Sequence, residues 1–260
     1  MKVNEIFTSV QGEGKFTGYP SVFVRLSACN LCCAFKGGSV CDSMYAAHPS
    51  SKSEITDMTT EELADRIAHE LNKIGGHYDN SHIVLTGGEP LVQQKAIVEL
   101  IEYLHENNIW NDITIETNGS IVPDERLLEF SDVFFSISPK LSTSCCFEGT
   151  DVPQALQENH KKNRINIEAL RKLVGNGYYQ LKFVYSGQDC IQEIKDLLEA
   201  IDPNEATRMY ISTNVLLMPE GITHQQLGKT DTEAVEVCIA NGWRYCDRVH
   251  IRIWGDKRGV

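Results

Sequence analysis

An alternation of short apolar runs with amphipathic segments constrains the fold of this chain more than any other feature. The β-branched runs "SVFVRL" (Ser21–Leu26) and "HIVL" (His82–Leu85) predict strands, and the segments "TTEELADRIAHEL" and "LVQQKAIVELIEYL" predict helices. The same alternation continues through "DITIE", "PDERLLEF", "DVFFSI", "RINIEALRKLV", "YYQLKFVYS", "CIQEIKDLLEAI", "RMYISTNVLLMP", "TDTEAVEVCIANG" and "RVHIRIWG". Because strands alternate with helices of this length, we predict parallel βαβ units with right-handed crossovers.

The number of strands limits the architecture. About six strands alternate in this way, which is too few for a closed barrel of eight. We therefore predict an α/β fold, an open or partial TIM-like β/α barrel, with residues 1–260 forming one domain. A polar stretch near residues 141–162 lacks clear periodicity and predicts a loop or excursion.

Composition and charge narrow the class of protein. The 260 residues are 42% hydrophobic and 23% charged, as in ordinary globular proteins. The start, "MKVNEIFTSVQGEG", lacks the apolar core of a secretory signal, and no apolar run approaches the ~20 residues that span a bilayer. We therefore expect a cytoplasmic protein without membrane association. A net charge of -12 argues against a nucleic-acid partner and favours a small-molecule substrate.

Four cysteines lie in the loop after the first parallel strand, residues 27–45 (the cysteine loop): Cys29, Cys32, Cys33 and Cys41. In a reducing compartment such a group indicates metal binding or catalysis before disulfides. A structural zinc site prefers two separate close pairs, and the neighbours Cys32 and Cys33 would strain a site on so short a loop. Inert thiols would be scattered on apolar positions, and a catalytic thiol would need a His partner that the sequence does not identify. The remaining interpretation is an iron–sulfur cluster held by three thiolates, with one iron left for a chelator such as S-adenosylmethionine (SAM).

Other unusual loops follow the predicted strands directly. "TGGEP" follows "HIVL", "ETNGS" ends "DITIE" and "SPK" ends "VFFSI". Because ligands bind at the carboxyl ends of parallel strands, we expect these loops and the cysteine loop to converge on one rim. Each loop alone also fits a structural role: a turn with Pro90 at the first helical position, an Asn-Gly turn, and a strand end with a solvated lysine.

Several polar residues lie in apolar strands or in a glycine loop. Arg25 needs an anion if it is buried, which is either a substrate carboxylate or an internal Asp or Glu. Lys182 in "QLKFVY" either needs a partner or faces outward. His250 in "VHIRIW", judged on these residues alone, is more simply a satisfied core histidine than a ligand. "QGEG" (Gln11–Gly14) fits an exposed turn or a loop around a polar heterocycle.

The cysteine loop is similar to the signature loop of radical SAM enzymes. The run "EIFTSVQGEG…GYPSVFVRLSACNLCC…CDS" resembles the start of the 7-carboxy-7-deazaguanine synthase family, and the likeness extends through "TGGEP", "ETNGS", "SISPK", "QLKFVY", "LMPEG" and "RVHIRIWGDKRGV". It spans nearly the whole chain, with residues 141–162 matching least. "QGEG" and "HIRIWG" are more particular to this family than the cysteines are.

The chain departs from the family pattern at a few positions. The superfamily commonly has C-x3-C-x2-C, whereas the second interval here is seven residues. Cys32 stands where the family often has a basic residue, Ala28 replaces a usual Gly, and Ser43 replaces a Thr that binds magnesium. A serine hydroxyl offers the same oxygen, so we keep Ser43 as a predicted Mg²⁺ ligand.

The resemblance implies three sets of site residues. The ligands of the radical-generating 4Fe-4S cluster would be Cys29, Cys33 and Cys41. Residues that bind the SAM cofactor would be Gly88, Glu89, Glu116, Ser138, Pro139, Lys140 and Lys182. Residues that bind the substrate would be Gln11, Gly12, Glu13, Arg25, Thr86, His250 and the C-terminal Val260.

The implied reaction is a radical- and Mg²⁺-dependent ring contraction. It would convert 6-carboxy-5,6,7,8-tetrahydropterin to 7-carboxy-7-deazaguanine with loss of ammonia, in 7-deazapurine (queuosine-type) biosynthesis. The resemblance also implies a homodimer and an electron donor such as flavodoxin or ferredoxin. Two alternatives remain at this point: another radical SAM enzyme, such as a glycyl-radical activase, and a non-enzymatic zinc-binding module.

Overall fold

The computed structural model describes residues 1–48, 55–75, 81–109 and 111–260. Within these ranges the chain forms a nine-stranded sheet, with the strand order β3-β1-β2-β4-β5-β6-β7-β8-β9. The strands are β1 (Lys2–Val10), β2 (Pro20–Leu26), β3 (Thr56–Asp57), β4 (His82–Gly87), β5 (Asp112–Thr117), β6 (Val133–Ile137), β7 (Tyr179–Tyr185), β8 (Val215–Pro219) and β9 (Arg244–Tyr245).

The central strands are parallel, as the sequence predicts. β2 and β4 to β9 pair in parallel, and only β9, with two residues, is shorter than five. Every residue of β4, β6 and β8 is buried, which is typical of parallel strands covered on both faces. The predicted open α/β fold with about six long parallel strands is confirmed.

An antiparallel edge that the sequence analysis did not identify precedes these strands. β1 pairs with β2, with Ile6 opposite Val24, and β3 pairs with the outer side of β1. Most residues of β1 are half-buried, so it lacks the apolar run that identifies the central strands. It positions the Gln11–Gly14 loop at the edge of the sheet next to β2.

Helices cover the sheet, and their apolar faces form the core with it. α2 begins with a capping box between Thr59 and Glu62, and it buries Leu63, Ile67 and Leu71. None of the helices in the described ranges is both long and apolar enough to cross a membrane. The helices are α1 (Met44–Ala47), α2 (Thr60–Leu71), α3 (Gln94–Glu106), α4 (Glu125–Glu129), α5 (Gln154–Asn163), α6 (Ile167–Gly175), α7 (Asp189–Ile201), α8 (Glu205–Ser212), α9 (His224–Leu227), α10 (Asp231–Asn241) and α11 (Val249–Trp254).

The segment "RVHIRIWG" is a helix, so its predicted place as the last strand is wrong. The sheet ends at β9, and the residues that follow form α11. Its only buried residue is Ile251, while Ile253 and Trp254 are exposed. The alternation of apolar and polar residues that indicates a strand therefore does not reflect alternating burial here.

The prediction of a loop near residues 141–162 is also wrong for most of that stretch. Ser142–Ser144 forms a short 3₁₀ helix, and α5 occupies the second half. The only buried residue of α5 is His160, so the helix has no apolar stripe from which its period could be recognised.

Candidate active site

A cavity of about 270 Å³ lies at the carboxyl ends of the parallel strands. Loops after β2, β4, β5, β6 and β8 converge on it, as does the end of the chain. Most of the predicted site residues line it: Gln11, Gly12, Glu13, Arg25, Cys29, Cys33, Cys41, Ser43, Thr86, Gly88, Glu116, Ser138, Lys140, Lys182, His250 and Val260. Glu89 and Pro139 do not belong to its lining.

A short β-hairpin accommodates the seven-residue interval in the cysteine loop. The Cys41 N–H donates to the Cys33 carbonyl at 3.1 Å, and the Phe35 N–H donates to the Ser39 carbonyl at 2.7 Å. Gly38 closes the turn at φ 88°, as expected for a three-residue hairpin loop that needs a left-handed residue. The extra residues therefore bulge outward, and Cys33 and Cys41 are brought side by side.

The segment after β6 supports the outgoing strand of this hairpin. The Ala34 N–H donates to the Ser144 carbonyl at 2.9 Å, and the Cys146 N–H donates to the Ala34 carbonyl at 2.8 Å. From α5, Asn159 Nδ2 donates to the Asn30 carbonyl at 2.7 Å. The stretch near residues 141–162 therefore packs directly on the cysteine loop.

Cys29, Cys33 and Cys41 (the thiol wall) form one side of the cavity. Burial, assisted by the Glu89 carboxylate, raises the pKa of Cys29 to about 12, and burial also raises the pKa values of Cys33 and Cys41. Without a metal these thiols stay protonated, so binding iron would require the release of their protons. The Lys140 ammonium opposes this rise at all three thiols.

The donor set fits a cluster better than a single ion. In the described ranges, no three His, Cys, Asp or Glu side chains are grouped as ligands of one metal ion. Cys32 also lines the cavity beside Cys29, Cys33 and Cys41, and such a spread of thiols suits an iron–sulfur cluster, whose thiolates bind different irons. The arrangement therefore does not favour the zinc alternative.

Glu89 is fully engaged inside the protein. Its Oε1 accepts from Thr117 Oγ1 at 2.7 Å and from the Leu91 N–H at 3.0 Å, and its Oε2 accepts from the Asn118 N–H at 2.7 Å. Burial raises its pKa despite these bonds. In this arrangement Glu89 joins the end of β4 to the end of β5.

Glu116, unlike Glu89, lines the cavity with its carboxylate. Its Oε2 accepts from Thr86 Oγ1 at 2.8 Å, and its Oε1 accepts from Gln11 Nε2 at 3.4 Å. Its side chain is 24% exposed, so it is open to a ligand from the cavity.

Gly88 brings the loop after β4 against the cysteine loop. A Cβ at Gly88 would lie 2.1 Å from the Ala28 carbonyl oxygen, and that oxygen accepts from the Glu89 N–H at 2.9 Å. Ala28 itself has φ 82°, a conformation that costs a residue with a Cβ free energy. A glycine at this position would avoid that cost.

Buried ions elsewhere in the cavity lining form a network of Glu13, Lys182 and Arg248, with Asp42, next to Cys41, at its rim (the charged wall). Glu13 accepts from Lys182 Nζ and, at 2.8 Å, from Arg248 Nε. Arg248 also donates to the Gly221 carbonyl at 2.6 Å and to Asp42. Burial raises the pKa of Glu13, but Lys182 and Arg248 outweigh it and hold that pKa well below its usual value.

His250 packs on the glycine loop. The Val249 N–H donates to the Gly12 carbonyl at 2.9 Å, and a Cβ at Gly12 would lie 2.1 Å from His250 Nδ1. The Nε2 atom of His250 lies 3.9 Å from Glu13 Oε1. Burial lowers the pKa of His250, which favours the neutral imidazole at the cavity surface.

Arg25 has an internal partner, one of the two that the sequence allows. Its Nε donates to Glu5 Oε1 at 2.7 Å, and Tyr45 donates to the same oxygen at 2.7 Å. The C-terminal tail folds back over this region, with the Arg258 guanidinium carbon 3.6 Å from the centre of the Tyr45 ring. Val260 thereby reaches the cavity together with Arg25.

Two further polar groups border the thiol wall. Lys140 Nζ donates to Ser138 Oγ at 3.0 Å. Ser43 Oγ lies 3.4 Å from Cys41 Sγ, so its hydroxyl is next to a predicted cluster ligand.

Sequence reasoning missed four residues that shape the site: Asp42, Asn118, Arg248 and Glu220. Each lies within or next to a motif that the sequence analysis quotes, namely "CDS", "ETNGS", "RVHIRIWG" and "LMPEG". Their position in or beside these motifs was the only sequence feature that could have identified them as site residues. The pairing of Arg248 with Glu13, 235 positions away, has no local signature.

Comparisons with known proteins agree with this geometry. Residues 10–144 match the family described as a 4Fe-4S single cluster domain. The chain is 36% identical to 7-carboxy-7-deazaguanine synthase of Halobacterium salinarum, over 98% of this chain and 91% of that protein. It is also 36% identical to the enzyme of the same name from Rhodopirellula baltica, over 99% of this chain and 88% of that protein.

A solved structure supports the fold. The crystal structure of QueE from Escherichia coli superposes with a TM-score of 0.61 at 23% identity, covering 96% of this chain and 94% of that one. At this identity the likeness concerns the fold alone.

Proposed function

Because the chain belongs to the 7-carboxy-7-deazaguanine synthase family, we propose that it converts 6-carboxy-5,6,7,8-tetrahydropterin to 7-carboxy-7-deazaguanine with loss of ammonia. Its relatives are named synthases, and residues 10–144 match a 4Fe-4S single cluster domain, so the chain is an enzyme, which we assign to the radical SAM class. The ring contraction on this pterin and its dependence on magnesium belong to the proposal.

One observation supports the proposal most. The thiol wall and the residues that the resemblance assigns to the substrate line the same cavity. A cluster-based reaction on a small molecule requires that both be within reach of each other.

We assign the 4Fe-4S cluster to Cys29, Cys33 and Cys41, and SAM to the adjoining rim. When bound together, cluster and SAM supply the reductive cleavage that begins radical chemistry. Lys140 offers an ammonium group for the SAM carboxylate, and Glu116 offers an acceptor for ribose hydroxyls. Gly88, Ser138 and Lys182 line the same rim.

Another part of the cavity lining would bind the pterin. Gln11, Glu13 and His250 present acceptors and donors to its edge, and Arg25 offers a guanidinium to its carboxylate. Since Glu13 is already held by two cations, the protein orients this carboxylate before the substrate arrives. The C-terminal tail up to Val260 lines the cavity here and would help to exclude water.

Magnesium would take one ligand from the protein at Ser43. Mg²⁺ prefers oxygen ligands and usually retains waters, so one hydroxyl next to substrate oxygens is a sufficient anchor. We further propose a cytoplasmic homodimer of single-domain chains, an electron donor such as flavodoxin or ferredoxin, and a place in queuosine-type 7-deazapurine synthesis.

Anaerobic turnover tests this function. Reconstituted protein, supplied with a reductant, SAM, Mg²⁺ and 6-carboxy-5,6,7,8-tetrahydropterin, should form 7-carboxy-7-deazaguanine detectable by mass spectrometry. Cys41→Ala should form none, because it lacks one of the three cluster ligands. Absence of product from wild-type protein with a full complement of iron and sulfide would exclude the proposed reaction.

A further inference from the structure

Two carboxylates contact the hairpin between Cys33 and Cys41 from outside: Glu220 accepts from Gly37 and Ser39, and Asp189 forms an exposed ion pair with Lys36. We propose that Glu220 is a positioning residue for the iron–sulfur cluster, because it clamps this hairpin and thereby fixes the spacing of Cys33 and Cys41. The inference rests on the proposed function, in that it assumes a cluster bound by these cysteines.

Glu220 accepts bonds from both the hairpin and the sheet. Its Oε1 accepts from the Gly37 N–H at 2.7 Å and from Ser39 Oγ at 3.2 Å. Its Oε2 accepts from Ser186 Oγ, directly after β7. Because its own N–H donates to the Tyr185 carbonyl at 3.0 Å, the carboxylate is fixed to the ends of β7 and β8.

The hairpin needs such support because it buries little of its own surface. Lys36, Gly37 and Gly38 at its tip are exposed, and Val40 on its returning strand is 42% exposed. A two-stranded hairpin of this kind is marginally stable by itself. Its hydrogen bonds to the rest of the protein therefore fix the position of the hairpin relative to the sheet.

The two strands of the hairpin are supported from different sides. Ala34 on the outgoing strand is bonded to the segment containing Ser144 and Cys146. The returning strand leads to Cys41, and Glu220 supplies its link to the sheet through Ser39. Loss of the carboxylate should therefore loosen Cys41 relative to Cys33.

Gly37 offers a way to break the same contact without removing the carboxylate. A Cβ at this position would lie 2.5 Å from Glu220 Oε1, so Gly37→Ala should force this carboxylate and the hairpin tip apart and break their hydrogen bond. Lys36→Ala is the matched control, because Lys36 is in the same turn and its ion pair with Asp189 is exposed to solvent.

The experiment compares metal retention. Wild type, Glu220→Ala, Glu220→Gln, Gly37→Ala and Lys36→Ala are reconstituted anaerobically, and their iron and sulfide contents are counted. Loss of the cluster's visible absorbance to an iron chelator is then timed, and the reduced cluster is recorded by electron paramagnetic resonance (EPR).

We expect Glu220→Ala to lose iron about tenfold faster than wild type, as befits the loss of charge-assisted hydrogen bonds. Its EPR spectrum should broaden, because the cluster ligands take up a range of positions. Glu220→Gln should recover part of the retention, and Lys36→Ala should match wild type. Gly37→Ala should accelerate iron loss, and combining it with Glu220→Ala should add little, because both break one contact.

Different outcomes separate this inference from the proposed function. If wild-type protein binds no cluster, the proposed function fails. If wild type holds its cluster and Glu220→Ala and Gly37→Ala both match it in iron loss and EPR spectrum, the clamp is overturned. If circular dichroism shows that Glu220→Ala does not fold, iron loss and the EPR spectrum of Gly37→Ala test the clamp instead, because this variant retains the carboxylate.

Discussion

The two walls of the cavity treat buried ionisable groups in opposite ways. In the thiol wall, burial raises the pKa values of Cys29, Cys33 and Cys41 and keeps them uncharged. In the charged wall, Glu13 is buried as an anion because Lys182 and Arg248 compensate for its desolvation.

The ions of the charged wall are therefore paired within the protein, whereas the thiols of the thiol wall need a metal to become charged. The charged wall satisfies its own ions and is fixed before substrate binds, as an electrostatically preorganised site should be. The thiol wall becomes anionic only when a metal replaces its protons. Substitutions in the two walls should therefore affect different properties: metal content for one and stability of the metal-free chain for the other.

The largest effect is expected in the thiol wall. Cys41→Ala should abolish retention of the 4Fe-4S cluster, because two protein thiolates are a poor anchor for four irons. Cys32→Ala is the matched control and should keep a full cluster, since Cys32 is not among the assigned ligands. Iron and sulfide counting checks both variants. Equal losses in the two would mean that Cys32 is also a ligand.

Next in size is a change in the charged wall. Arg248→Met should lower the free energy of unfolding of the metal-free protein by about 3 kcal/mol, because it removes one partner of a buried ion pair. Arg252→Met is the comparison: Arg252 pairs with Asp231 and Asp247 but is 23% exposed, so about 1 kcal/mol is expected. Urea denaturation measures both, and equal losses would contradict the difference in burial.

A smaller effect should appear as a pH dependence in the support of the thiol wall. His160 is buried against Ser144, and burial, together with Lys140 and Arg164, lowers its pKa to about 4. The unfolded chain takes up the proton first, so the free energy of unfolding should fall as the pH drops from about 6.5 towards 4.

His160→Gln should remove this part of the pH dependence while keeping a hydrogen bond to Ser144. The charged wall should respond only at lower pH, because the pKa of Glu13 is depressed and its contribution is lost below about 4. Urea denaturation across the acid range separates the two. If the free energy of unfolding of His160→Gln falls with pH between about 6.5 and 4 as steeply as that of wild type, another group causes the pH dependence.

The smallest effect concerns backbone strain in the cysteine loop. Ala28→Gly should stabilise the metal-free protein by about 0.5–1 kcal/mol, because glycine adopts φ 82° without steric cost but also makes the unfolded chain more flexible. Asn108, at φ 57°, is the control, since asparagine tolerates this region and Asn108→Gly should gain little. Thermal unfolding measures the stability of both variants. An equal gain for Ala28→Gly and Asn108→Gly would show that the Ala28 backbone is not strained.

The sequence predicts the central sheet well because its signal is local. β2, β4 and β6 contain continuous apolar runs, as burial on both faces requires, and β5 is recognisable from its alternating β-branched residues. α5 and α11 were misassigned for the opposite reason. Their positions depend on contacts with distant parts of the chain, such as Asn159 with Asn30 and Arg248 with Glu13.

The residues of the site likewise divide into those with a local sequence signal and those positioned by contacts with distant residues. Residues at strand ends, such as Thr86 and Glu116, could be placed on one rim from topology alone. The hairpin that brings Cys33 to Cys41 could not, because its bonds to Ser144 and Glu220 join segments more than 100 positions apart. The partner of Arg25 stayed open for a different reason: Glu5, only 20 positions away, lies on β1, which the sequence analysis did not recognise as a strand.

The central claim is that three thiolates hold a four-iron cluster and leave one iron for SAM. A Mössbauer spectrum of protein reconstituted with ⁵⁷Fe, recorded with and without SAM, tests it most directly. We predict the spectrum of a 4Fe-4S cluster in which one iron of the four changes its isomer shift when SAM is added. A spectrum of a single ion bound by four sulfurs, or a cluster unaffected by SAM, would contradict the claim.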